Sequence, residues 1–209
     1  YDSCVTLQTR QLIGDAQYGA LNFKAYHVLN MLNIKYITYG DKPENVITNT
    51  EANGNAWYVA NVVAVKSAND ELKQTCSIDT KREAVVDVSK FTVPPIAHDS
   101  SAVITLSKNQ PNYLQYLSKT SADGLAVFSE IYYPKGWQAT IDGKPASIIR
   151  ANYSLRALAV PAGNHVIEFR FLPDAYVIGN KVMLASSWVL LLIILGSLYW
   201  TFRKRDAVV

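Results

Sequence analysis

Between Val182 and Phe202 the chain runs for 21 residues without a charged side chain, VMLASSWVLLLIILGSLYWTF. As an α-helix rising 1.5 Å per residue this run spans roughly 31 Å, close to a hydrocarbon core of about 30 Å. A buried core helix is usually shorter and keeps a polar face, so the run reads as a membrane-crossing helix, placed at 179–202. Tyr199 and Trp200 sit near one end, where amphipathic rings favour the headgroup layer. Arg203, Lys204 and Arg205 follow at once, against a single Lys181 on the other flank. Positive charge stays on the cytoplasmic side. The basic tail, 203–209, is therefore expected in the cytoplasm, and residues 1–178 outside it.

The first residues, Tyr1-Asp2-Ser3-Cys4, carry no initiator Met, charged n-region or apolar h-region, and read as the interior of a longer protein. A hydrophobic share of 49% with 18% charged residues belongs to globular and not disordered chains. The net charge is +3, of which Arg203, Lys204 and Arg205 against Asp206 supply +2. The remaining +1 leaves no basic stripe to neutralise a run of phosphates, which excludes nucleic acid as a partner.

Upstream of the anchor the pattern divides in two. Residues 1–93 read as a small α+β unit. Leu21, Ala25, Val28, Leu29 and Leu32 make an amphipathic helical stripe. Ile34 to Thr38 alternates as a strand closed by Gly40-Asp41-Lys42-Pro43, and Trp57 to Val65 reads as a second strand. Ser67 is the expected N-cap of a short helix reaching Cys76, with Asp70 and Glu71 in its first turn; Glu83 to Asp87 is a third strand.

The Pro94-Pro95 pair breaks the chain, and 94–178 is all β. Strands are expected at Ala102–Leu106, Tyr113–Thr120, Leu125–Tyr132, Trp137–Ile141, Pro145–Arg150, Leu155–Val160 and His165–Phe171. Asp142-Gly143 has the composition of a two-residue type I′ turn, in which both central residues take φ > 0. Pro161-Ala162-Gly163-Asn164 is another tight connection. Seven short strands separated by turns predict an antiparallel β-sandwich. The whole is α+β followed by all-β, then one transmembrane helix.

Little catalytic chemistry is present. His27, His98 and His165 are isolated, and no H-x-H, H-E-x-x-H or C-x-x-C spacing points to a metal. There is no nucleophile elbow and no phosphate-cradling glycine loop. No cofactor is implied and no catalytic residue is assigned; Asp123 and Asp142 are accounted for by turns. Cys4 and Cys76 either pair outside the cytoplasm or remain two unpaired small residues. One cluster could bind a ligand. Tyr132, Tyr133, Trp137 and Tyr153 gather around the central hairpin with Arg150, Asn152 and Arg156. Aromatic faces beside planar polar groups suit sugar rings; the alternative is that Trp137 and some tyrosines fill the sandwich core. Trp137 is expected to be buried on either reading.

Two stretches resemble the YfhO family of bacterial membrane proteins, with a Bacteroidetes-like character. The first runs from Val28-Leu29-Asn30-Met31-Leu32 to Ile37 and resumes at Glu51-Ala52-Asn53-Gly54-Asn55-Ala56-Trp57-Tyr58-Val59. The second is Tyr132-Tyr133-Pro134-Lys135-Gly136-Trp137 through Asp142-Gly143, continuing over Arg150 to Arg156 and Val160 to Phe169. The resemblance implies a multi-spanning, glycosyltransferase-like parent in the bacterial inner membrane. In that class a polyprenyl-phosphate sugar is used outside the cytoplasm to decorate envelope glycopolymers. The acidic catalytic residue of such a parent would precede Tyr1. This chain would then be a non-catalytic extracytoplasmic accessory domain, with the bilayer, the upstream membrane part and an envelope glycan or polyprenyl-phosphate sugar as partners. A structural or protein-interaction ectodomain is the rival.

Overall fold

The amino-terminal residues build a helical layer in the computed structural model, which describes residues 2–40, 42 and 45–206. Helix α1 (Asp2–Gln17) is followed by a single 3₁₀ turn, Phe23–Ala25, and by the short α2 (His27–Met31). The expected apolar stripe is thus not one helix. Asn30 Nδ2 donates to the Phe23 carbonyl at 2.7 Å, a bond that replaces the helical ladder across Tyr26. Helix α2 ends where Asn33 takes a left-handed φ of 55°, a conformation asparagine tolerates. Strands β1 (Tyr36–Thr38) and β2 (Val46–Thr48) pair antiparallel. Asp41 and Pro43 of the expected turn lie outside the described residues.

The apolar run Trp57 to Val65 is two strands and not one. β3 (Ala56–Val59) and β4 (Asn61–Val65) part at Ala60, where the amides of Ala60 and Asn61 both donate to the Arg82 carbonyl, at 2.7 and 3.2 Å. That shared acceptor turns the strand from one sheet into another. Helix α3 (Ala68–Thr75) starts at Ser67, whose hydroxyl accepts from the Asp70 amide at 3.1 Å. It leads to β5 (Glu83–Asp87), which pairs parallel with β4. Cys4 on α1 and Cys76 at the end of α3 are joined in a disulfide, with Cα atoms 5.8 Å apart.

Eight strands follow: β6 (Val103–Gln110), β7 (Tyr113–Thr120), β8 (Gly124–Ile131), β9 (Trp137–Ile141), β10 (Lys144–Ala146), β11 (Ile149–Ala151), β12 (Leu155–Val160) and β13 (Gly163–Phe171). They form two antiparallel sheets, ordered β10-β9-β13-β7-β6 and β11-β12-β8-β3. The expected strand Pro145–Arg150 breaks, because β10 belongs to the first sheet and β11 to the second. Asp142 and Gly143 take φ of 52° and 76°, the left-handed pair of a two-residue hairpin turn. Gly163 is the first residue of β13, so Pro161 and Ala162 alone make that connection.

Tyr116, Phe128, Leu158, Ile167 and Phe169 interlock between the two sheets. On the other face of the four-stranded sheet, Leu125, Val127, Leu155 and Ala157 pack against Val28, Met31, Ala84 and Val86. The sheet is covered on both sides, so Leu125 to Phe128 is an unbroken buried run. A division at residue 93 is therefore crossed twice: β3 supplies an edge of the sandwich, and the helical layer is its third storey.

Helix α4 (Asp174–Asp206) follows β13. Within Asp174–Trp200 an 18-residue window reaches a mean hydropathy of 2.2, and none of that window is buried against the protein. The segment expected at 179–202 thus begins within a longer helix that continues the basic tail as far as Asp206. Side chains from Thr201 onward and residues 207–209 lie outside the described residues.

Candidate functional site

The connection from β8 to β9 and the crossing from β10 to β11 lie side by side and leave a groove of about 390 Å³. Tyr132, Tyr133, Pro134, Trp137, Pro145 and Ile148 line it. Tyr133 is 52% exposed and offers a free ring face. Trp137 is half-buried, not buried as expected, because β9 lies one strand from the sheet edge, beside the groove. The Arg156 guanidinium lies 4.0 Å over its ring, and the Phe171 ring is 5.2 Å away.

The predicted binding residues divide between this groove and the interior. Tyr132 and Tyr133 line the groove. Arg156 is 3% exposed: its Nε donates to the Ile131 carbonyl at 3.0 Å and its fork pairs with Glu130 at 3.3 Å. Burial raises the Glu130 carboxyl above its usual value and lowers the Arg156 guanidinium, each opposed by the partner's charge.

Arg150, Asn152 and Tyr153 form a second cluster. Asn152 is fully buried and bonds β5 in both directions: its amide donates to the Val85 carbonyl at 2.9 Å, and its Oδ1 accepts from the Val85 amide at 2.8 Å. Asn152 and Tyr153 both take positive φ, 51° and 68°. The strained turn is held by Glu71, a fully buried carboxylate on α3 that accepts from the Tyr153 amide at 3.0 Å and pairs with Arg150. The Arg150 guanidinium lies between the rings of Phe91 and Tyr153, at 5.8 and 5.7 Å, and Phe91 meets Tyr132 edge-on at 5.6 Å. Tyr132, Phe91, Arg150 and Tyr153 thus make one row.

Glu71 and Phe91 escaped sequence reasoning. Glu71 carries the ordinary signature of a first-turn acid, and its charge complement lies 79 residues away. Phe91 stands in an irregular segment with no period to mark it.

The family model for the bacterial membrane protein YfhO matches residues 45–182. The chain belongs to the YfhO family. No curated protein and no solved structure matches it. The region matched contains both sandwich sheets, the groove, the Glu71–Arg150 pair and the first turns of the apolar helix.

In this YfhO protein the groove is lined by tyrosine, tryptophan and proline rings together with Gln138 and Thr140. Among the described residues no three His, Cys, Asp or Glu side chains converge as metal ligands. His27 Nδ1 stands 3.7 Å from Asp79 Oδ1, while His165 Nδ1 lies 2.6 Å from Asp142 Oδ2 and joins the β9–β10 turn to β13. There Asp142 Oδ1 also accepts from the Val166 amide at 2.8 Å, so the pair is a clasp.

Proposed function

We propose that this chain is a non-catalytic accessory domain of a multi-spanning, glycosyltransferase-like YfhO protein. The parent acts on envelope glycopolymers with polyprenyl-phosphate sugar donors, and the groove at Tyr132, Tyr133 and Trp137 steadies the glycan. The domain lies on the periplasmic face of the inner membrane, with the C-terminus in the cytoplasm. The observation that carries this reading is the open groove itself: an exposed tyrosine face beside a second tyrosine and an indole edge suits the C–H face of a sugar.

A purely structural or protein-interaction ectodomain is favoured by a different observation. Arg150, Asn152 and Arg156 are all engaged inside the fold, leaving the groove without a planar charged group to pair with hydroxyls. Titrating envelope glycan fragments against the wild type and Tyr133→Ala separates the two. The transferase reading expects the variant to lose most binding while its stability stays within about 1 kcal/mol, as for an exposed side chain. Equal binding by both proteins, or none by the wild type, would establish the rival.

A further inference from the structure

We propose that the end of the sandwich nearest the membrane helix seats the phosphate of an anionic bilayer lipid. This goes beyond the glycan reading and stands on a different part of the molecule. β13 ends at Phe171 and α4 begins at Asp174, so Leu172 and Pro173 are the whole connection. It is tied at both sides: the Phe171 amide donates to the Asn112 carbonyl at 3.0 Å, and the Leu172 amide to the Gly136 carbonyl at 2.6 Å. A Cβ at Gly136 would stand 2.8 Å from the Phe171 ring and 3.0 Å from Pro173, so the joint is closely packed as well as short. The sandwich cannot move far from the bilayer its helix enters.

At this joint lies a cavity of about 820 Å³ whose polar lining is Lys108, Gln110, Asn112, Tyr113, Arg170 and Tyr176. Tyr176 precedes Val182, the start of the uncharged run, by six residues. At 1.5 Å per residue that is about 9 Å, which puts Tyr176 at the outer edge of a headgroup layer of roughly 5–8 Å on each side. The Arg170 guanidinium rests 4.9 Å from the Tyr113 ring centroid, and its fork approaches Glu168 at 3.4 Å. The Tyr113 hydroxyl also donates to Glu168, so Arg170 is held facing outward, 57% exposed. Lys108 is exposed and forms no ion pair among the described residues. One oriented guanidinium and one ammonium serve a phosphate, the Gln110 and Asn112 amides serve a hydroxylated headgroup, and exposed Tyr176 borders the headgroup layer.

The test is hydrogen exchange of the full chain in nanodiscs of phosphatidylcholine containing increasing mole fractions of phosphatidylglycerol. Exchange at residues 108–113 and 170–176 should slow as phosphatidylglycerol rises. Each cation near an anionic surface contributes about fivefold, so Lys108→Gln with Arg170→Gln should weaken the affinity for phosphatidylglycerol about 25-fold. Unchanged exchange in β12 shows that the double variant is folded; where β12 is perturbed, Lys108→Gln alone should still weaken that affinity about fivefold. Inorganic phosphate added to phosphatidylcholine discs separates the sources. Equal protection by free phosphate would assign the seat to a soluble anion, and protection indifferent to phosphatidylglycerol or to the variants would remove it altogether.

Discussion

Removing the Glu71 carboxylate tests the joint between the helical layer and the sandwich. Glu71 is fully buried, and Glu71→Ala leaves two groups stranded: the Arg150 guanidinium, with 19% of its side chain exposed, and the Tyr153 amide in a turn already at positive φ. Breaking a buried pair from one side costs about 3–5 kcal/mol, against a total of about 5–15 kcal/mol for a domain. The lone unpaired amide accounts for about 1–3 kcal/mol. Replacing both charged partners, Glu71→Leu with Arg150→Met, leaves only that amide, so the double variant should be about 2 kcal/mol more stable than Glu71→Ala. Urea unfolding of residues 1–178 reads this through Trp57 and Trp137, the two tryptophans upstream of the membrane helix. The slope against urea should not change, because the surface exposed on unfolding is the same. A loss below about 1 kcal/mol for Glu71→Ala would refute the reasoning, since it would mean that Arg150 finds water without disturbing the fold.

Gly143→Val should cost about 1–3 kcal/mol from backbone strain alone, because φ is 76° and nothing lies within 4 Å of the added Cβ. Gly143→Asn should cost much less, and equal melting temperatures for the valine variant and the parent would rule out the turn. The His165–Asp142 clasp gives a pH signature. Its hydrogen bond to Asp142 raises the His165 pKa, so that stabilisation is full below about 6.5 and fades as pH rises through the folded value. The bond to His165 lowers the Asp142 pKa, so the other half is full above about 3.9 and fades in acid. Stability should therefore fall as pH rises above about 6.5, and His165→Gln should flatten that slope; an identical slope in both proteins contradicts the clasp. A reporter active only in the cytoplasm and fused after Val209 should be active, and its silence in a well-expressed protein would invert the proposed topology.

Several features were legible in the sequence because each depends on neighbours along the chain. The apolar helix is set by 21 uncharged residues, the Asp142-Gly143 turn by two residues that accept positive φ, and the Ser67 cap by a hydroxyl three residues before an amide. Trp137–Ile141 and Leu155–Val160 are strands over the residues their composition marks. Tertiary structure alone decided the rest. Trp57 to Val65 reads as one strand because every residue suits one; the Arg82 carbonyl, 22 residues beyond Ala60, divides it. Pro145–Arg150 reads likewise, and splits because its two halves pair with different sheets. Arg150, Asn152 and Arg156 look like a recognition set beside tyrosines, and their charge and amide partners, Glu71, Val85 and Glu130, come from other layers or strands. Whether a polar side chain meets solvent or a buried partner depends on what packs over it. That is fixed by contacts between distant residues, and no local period records them.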